Sequence, residues 1–106
     1  MLKDFFAGFI KLHIVYHASH APVFGLELMR ELARHGYQLS PGTLYPTLSK
    51  LERDGYLRCE EKLVNGKIRK YYTATSLGKK ALKEARAKIG ELVAEVLEDA
   101  PPATEA

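Results

Sequence analysis

The sequence predicts a mainly α-helical domain carrying one small β-hairpin, in the order helix, helix, helix, hairpin, helix. Three observations carry this expectation. Apolar residues recur at helical spacing in four separate stretches. Gly36 and Gly55 fall just past two of those stretches, where a left-handed cap ends a helix. Asn65-Gly66 supplies the strongest two-residue hairpin signal, because both central positions of a type I′ turn need positive φ.

With 106 residues, 46% of them apolar and 27% charged, the chain matches one ordinary globular domain. No run of about eighteen apolar residues occurs, so no membrane span is expected. Lys11 and His13 interrupt the apolar start in a way that does not suit a secretion signal. The single cysteine, Cys59, has no partner for an internal disulfide, which fits a reducing cytoplasm. A net charge of +3 permits nucleic-acid binding without demanding it. A DNA partner would therefore require positive charge concentrated locally.

The first helix is expected from about Asp4 to Ala18, closed by Pro22. Phe5, Phe6, Phe9, Ile10, Leu12, Ile14, Val15 and Tyr16 make it apolar almost all round, more than one small domain can cover. A partner subunit would supply the missing cover. The second helix, roughly Phe24 to His35, sets Leu26, Leu28, Met29 and Leu32 against Glu27, Arg30, Glu31 and Arg34. A short connection, Tyr37 to Ser40, leads to the third helix, and two helices so joined read as a helix-turn-helix. Counting outward from Asn65-Gly66 pairs Val64 with Lys67, Leu63 with Ile68, Glu61 with Lys70 and Cys59 with Tyr72. That register gives an apolar face of Leu57, Cys59, Leu63, Ile68 and Tyr72. The opposite face is mostly basic, with Arg58, Lys62, Lys67 and Arg69. Thr75 or Ser76 caps a last helix to about Glu98, on which Leu82, Ala85, Ile89, Leu92 and Val96 repeat with the spacing of a two-stranded seam. Residues 1–75 are thus expected to form a winged helix-turn-helix DNA-binding domain. Residues 76–98 would be a dimerisation helix and 99–106 a disordered tail.

The third helix would enter the major groove by its leading end. Ser40 is the expected N-cap, with Pro41 at the first helical position, where its missing N–H costs nothing. Gly42 lets backbone approach a phosphate closely, and the free N–H groups of this end favour an anion. Pro46 then falls in the second turn, deletes a bond to the Gly42 carbonyl and costs roughly 3 kcal/mol, with a slight kink. The alternative cap, Thr43, would place Pro46 in the first turn. The outward face holds Thr43, Tyr45, Pro46, Ser49, Lys50 and Arg53, a mix suited to thymine methyls, base edges and phosphates.

"LSPGTLYPTLSKLERDGYL" followed by "RKYYTATSLGKKAL" resembles the PadR family of bacterial transcriptional regulators, over about Tyr16 to Ala85. The resemblance implies a homodimeric DNA-binding repressor, often of a neighbouring operon and released by a small effector. It also implies DNA contacts by Ser40, Gly42, Thr43, Tyr45 and Pro46, with Lys67, Arg69 and Lys70 in the wing. A single helix after the wing is similar to the short branch of the family. Phe24 and Leu26 stand where the family's "HGYEL" has His and Tyr.

Two reading heads about 34 Å apart would read a palindrome across one turn of DNA. The interface is expected to use Phe5, Phe6 and Phe9 together with Leu82, Ala85, Ile89, Leu92 and Val96. An effector wedged there could disable binding by moving the heads. Two other readings use the same residues. A winged helix can serve as a protein-interaction module without specific DNA binding. His13, His17 and His20, spaced four and three, could make the protein a metal-responsive regulator. No cysteine or carboxylate lies nearby in sequence, so structural histidines, with no cofactor, are expected. No spacing suits a nucleophile with its base, and no glycine loop suits a phosphate. Glu60 and Glu61 lie on opposite faces of a strand, so catalysis is not expected.

Overall fold

The computed structural model describes residues 1–99, and the expected tail lies outside them from residue 100 onward. Helix α1 spans Leu2–His20, α2 Gly25–Arg34, α3 Pro41–Arg53 and α4 Ser76–Val96. Strands β2, Leu57–Val64, and β3, Lys67–Ala74, form the expected hairpin in the expected register. Its turn is set by positive φ at Asn65 and Gly66. One element was not legible in the sequence. Val23–Phe24 forms a two-residue strand, β1, so the sheet has three strands in the order β1-β3-β2. Two residues carry no periodicity, and the same phenylalanine reads equally well as the first residue of α2.

The core is the meeting of one face from each helix with one face of the sheet. Ile14, Val15 and Ala18 of α1 pack with Leu28 and Leu32 of α2 and Leu44, Leu48 and Leu51 of α3. Leu57, Tyr72 and Ala74 close it from the sheet. The third helix therefore spends its whole apolar face on the core and keeps its other face free. Gly36 and Gly55 take positive φ, and each helix before them ends there as expected.

Ser40 does occupy the N-cap position of α3, with Pro41 following it and Pro46 inside the helix. Its hydroxyl meets Thr43 Oγ1 at 3.4 Å rather than a backbone N–H, so the leading amides of α3 keep no side-chain cap. Thr75 settles the open choice at α4. Its hydroxyl accepts from the Gly78 N–H at 3.0 Å and donates to the Gly55 carbonyl, tying the end of α3 to the start of α4.

Two expectations are corrected. Leu82, placed on the partner-facing seam, is only 8% exposed and belongs to the protomer's own core, because α4 still packs on α1 at that level. Leu63 and Ile68 alternate correctly with Cys59 and Tyr72, yet stay 74% and 68% exposed. Alternation fixes the face of a strand, not how far the core reaches along it, and this hairpin extends past the core. Within the protomer the first helix is buried on one side, which leaves open the apolar surplus read in its sequence. Phe5, Phe6, Phe9 and Tyr16 remain open.

Candidate nucleic-acid interface

The leading end of α3 projects Ser40, Gly42, Thr43, Tyr45, Pro46, Ser49 and Lys50 into solvent. Leu44, Leu48 and Leu51, on the opposite side, anchor the helix at or near full burial. Rigid anchoring behind an exposed polar face is what a groove-reading helix requires. Thr47 is tied inward instead, its hydroxyl donating to the Thr43 carbonyl at 2.9 Å. Lys50 forms an i,i+4 ion pair with Asp54 at 3.0 Å, so its charge is partly offset where it stands. An exposed pair of this kind is worth well under about 1 kcal/mol and yields readily to a phosphate.

The wing stands beside α3. Between them runs a groove of about 430 Å³ bordered by Tyr45, Ser49, Ile68, Lys70 and Tyr72. Lys67 lies at the turn and is exposed, as is Lys70. Arg69 is held back against the sheet, its guanidinium 4.5 Å from the centre of the Phe24 ring. Lys62 lies 5.2 Å from the Tyr71 ring. The basic residues expected in the wing are therefore all present on it. Two of the wing's cations are set on aromatic faces rather than dangling in solvent.

Deeper in the sheet, Tyr72 faces Cys59. Burial, then the neighbouring Cys59, pushes its phenol up to about 12. Burial, followed by the charge of Glu52, likewise raises the Cys59 thiol. Both groups stay protonated and serve as packing.

The histidines do not assemble as the spacing suggests. His13 and His17 share a face, with ring centres 6.4 Å apart, but His20 turns to the edge of Tyr16. His35, from the end of α2, stacks on His13 at 4.5 Å instead. Glu31 lies 3.3 Å from His35 Nε2, 3.8 Å from His17 Nε2 and 3.0 Å from Arg34. Burial, then His35 and His17, lowers the His13 pKa. Partial burial favours protonation of Glu31, but Arg34 and His17 outweigh it and leave its carboxyl below the ordinary value. Among the described residues no three His, Cys, Asp or Glu side chains form a cage for a metal ion. The tertiary partner His35 was invisible to spacing within one helix.

This arrangement has close parallels. Residues 14–84 match the family described as Transcriptional regulator PadR-like family. The transcriptional regulator Rv3488 of Mycobacterium tuberculosis is 48% identical over 96 residues, spanning 91% of this chain and 90% of that protein. The chain belongs to the PadR-like family of transcriptional regulators. Solved PadR structures agree with the fold. A PadR family regulator from Eggerthella lenta superposes with a TM-score of 0.78 at 31% identity, over 92% of this chain and 87% of that one. A PadR-like regulator from Bacillus cereus does so with a TM-score of 0.75 at 31% identity, over 92% and 93%. The family membership makes this PadR protein a non-enzymatic transcriptional regulator that acts through DNA binding. Among the described residues no helix is long and apolar enough to cross a membrane.

Proposed function

We propose that this PadR protein is a cytoplasmic, homodimeric repressor that reads a palindromic operator in double-stranded DNA, controls a neighbouring operon and is released by a small effector. The observation that carries the reading is the division of α3. Its apolar side is spent on the core, while Ser40, Gly42, Thr43, Tyr45, Pro46, Ser49 and Lys50 stand uncovered beside a basic wing. In this reading Thr43, Tyr45 and Pro46 meet base edges and methyls. Ser40, Gly42 and the uncapped amides of α3 meet a phosphate. Lys67, Arg69 and Lys70 contact the flanking backbone and steepen the salt dependence.

Dimerisation is supported by what the protomer leaves open. Phe5, Phe6 and Phe9 of α1 and Ile89, Leu92 and Val96 of α4 are between 42% and 67% exposed. Ala85 is half-buried at the start of that seam. A second copy laid along these helices would cover both sets at once. A groove of about 560 Å³ lies between α1 and α4, walled by Phe9, Tyr16 and Ile89 with His13 and His17 on its floor. It adjoins the proposed interface, so an effector bound there would change the separation of the two reading heads.

Selection of binding sites from random duplex DNA with the purified protein tests the proposal. A palindromic consensus is the expected result. Failure to enrich any motif at low salt would favour a protein-interaction module. That alternative also expects Tyr45→Ala and Lys50→Ala to leave nucleic-acid affinity unchanged.

A further inference from the structure

We propose that the dipeptide Phe24-Gly25 positions two of the protein's DNA-contacting groups, Arg69 of the wing and Tyr45 of α3. The proposal rests on the DNA contacts assigned above and names what holds two of them in place.

Arg69 has a long stem with many rotamers and sits on a hairpin that runs past the core. Left to itself, its guanidinium would sample a wide arc. Strand β1 removes that freedom. Phe24 pairs with Tyr71 of β3, which puts its ring on the same sheet face as Arg69, two residues along. The guanidinium lies 4.5 Å from the ring centre, within cation–π range. The other side of Phe24 meets Tyr71 edge-on at 5.5 Å, and Lys62 covers Tyr71 at 5.2 Å. A cation, two aromatic rings and a second cation thus run in one row across the wing. Phe24 is itself fixed, because its N–H donates to the Glu27 carboxylate at 3.0 Å at the start of α2.

Gly25 acts on α3. A Cβ at this position would lie 2.4 Å from Tyr45 Oη and 2.8 Å from two further ring atoms. The phenol therefore rests against the first turn of α2 in space that only glycine leaves. Tyr45 is still 43% exposed, so one edge is braced and the other is presented to solvent. Any side chain at position 25 must swing the ring away from that pose. One short segment so determines where the wing's guanidinium and the helix's phenol stand. A change at Phe24 or Gly25 alters recognition without removing a contact atom.

The experiment is a pair of double-mutant cycles on the full-length protein, measured by fluorescence anisotropy against its selected duplex. Tyr45→Ala is expected to weaken binding by about tenfold, the scale of one good groove contact, and Arg69→Ala to weaken it severalfold through a lost phosphate contact. Gly25→Ala should weaken binding severalfold in the native background and leave it unchanged in the Tyr45→Ala background. Phe24→Leu should behave the same way toward Arg69→Ala, while Phe24→Tyr retains affinity. Salt titrations add an independent readout. Arg69→Ala and Phe24→Leu should each flatten the logarithmic salt slope by up to about one, and Gly25→Ala should not.

Equal losses in both backgrounds would overturn the proposal, since Gly25 and Phe24 would then act on the fold at large. Should Gly25→Ala alone fail to fold, folding must return when Tyr45→Ala removes the ring that the new methyl strikes. Persistence of the defect there would also refute it. If Tyr45→Ala and Arg69→Ala are themselves neutral, the contact assignment fails first and takes the proposal with it.

Discussion

Gly78 and Gly90 lie in the same helix, α4, and the same substitution should move stability in opposite directions at the two sites. Helix propensity alone favours alanine at both by about 1 kcal/mol. Gly90 has nothing within 4 Å of an added Cβ, so Gly90→Ala should realise that gain. Gly78 is buried where α4 crosses the end of the α3–β2 connection. A Cβ there would stand only 2.3 Å from the Tyr56 carbonyl oxygen. That is roughly 1 Å inside the closest C···O approach, and the obstacle is backbone, which cannot rotate aside. The start of α4 must shift. The same carbonyl accepts from the Thr75 N–H at 3.1 Å, and the Gly78 N–H bonds the Thr75 hydroxyl at 3.0 Å. Overpacking of this kind costs about 1–3 kcal/mol, and each strained hydrogen bond about 1 more. Against the propensity gain, the net loss is about 2–4 kcal/mol. For a domain of this size that lowers Tm by roughly 8–32 °C. The assay is thermal unfolding followed by circular dichroism at one fixed protein concentration, because association would itself raise Tm. An unchanged or raised Tm for Gly78→Ala would refute the close approach.

Ile89→Glu places a charge in the uncovered apolar seam, so sedimentation at micromolar concentration should show protomers where the native protein is expected to sediment as dimers. Unaltered dimers would remove α4 from the interface. Lys67→Ala should weaken binding to all duplex sequences alike and reduce the logarithmic salt slope by about one, whereas a change of preferred sequence would contradict a phosphate role. Because His13 titrates below its ordinary value of 6.5 in the folded chain, the unfolded chain takes up that proton first. His13's contribution is therefore intact above about pH 6.5 and is lost as pH falls through the lowered folded value. His13→Asn should flatten the fall of Tm across that window, and a steeper fall would contradict the assignment.

Most of the fold was legible because its signals are local. The hairpin turn, both glycine caps and the period of each helix depend on residues a few positions apart. The hairpin register followed from them without any tertiary information. What escaped depends on contacts between distant segments. Strand β1 exists only because β3 is already there to pair with it. His35 joins His13 from another helix, and no spacing within α1 announces it. Leu82 fits the seam pattern as well as Ile89 does. The two part company because α1 covers α4 at one level and not two turns later. The exposed face of α3 could be read directly, since a helix that buries Leu44, Leu48 and Leu51 must present Thr43, Tyr45 and Ser49. The supports behind it could not. Phe24 and Gly25 show their use only when the wing and α3 are seen together on either side of them.

Base-pair insertion between the two halves of the selected operator probes the paired reading heads most directly. An insert of about five base pairs turns one half-site to the opposite side of the duplex. Affinity should then collapse toward that of a single half-site and recover in part when about ten are inserted. Binding that ignores the insert would mean that each protomer reads alone.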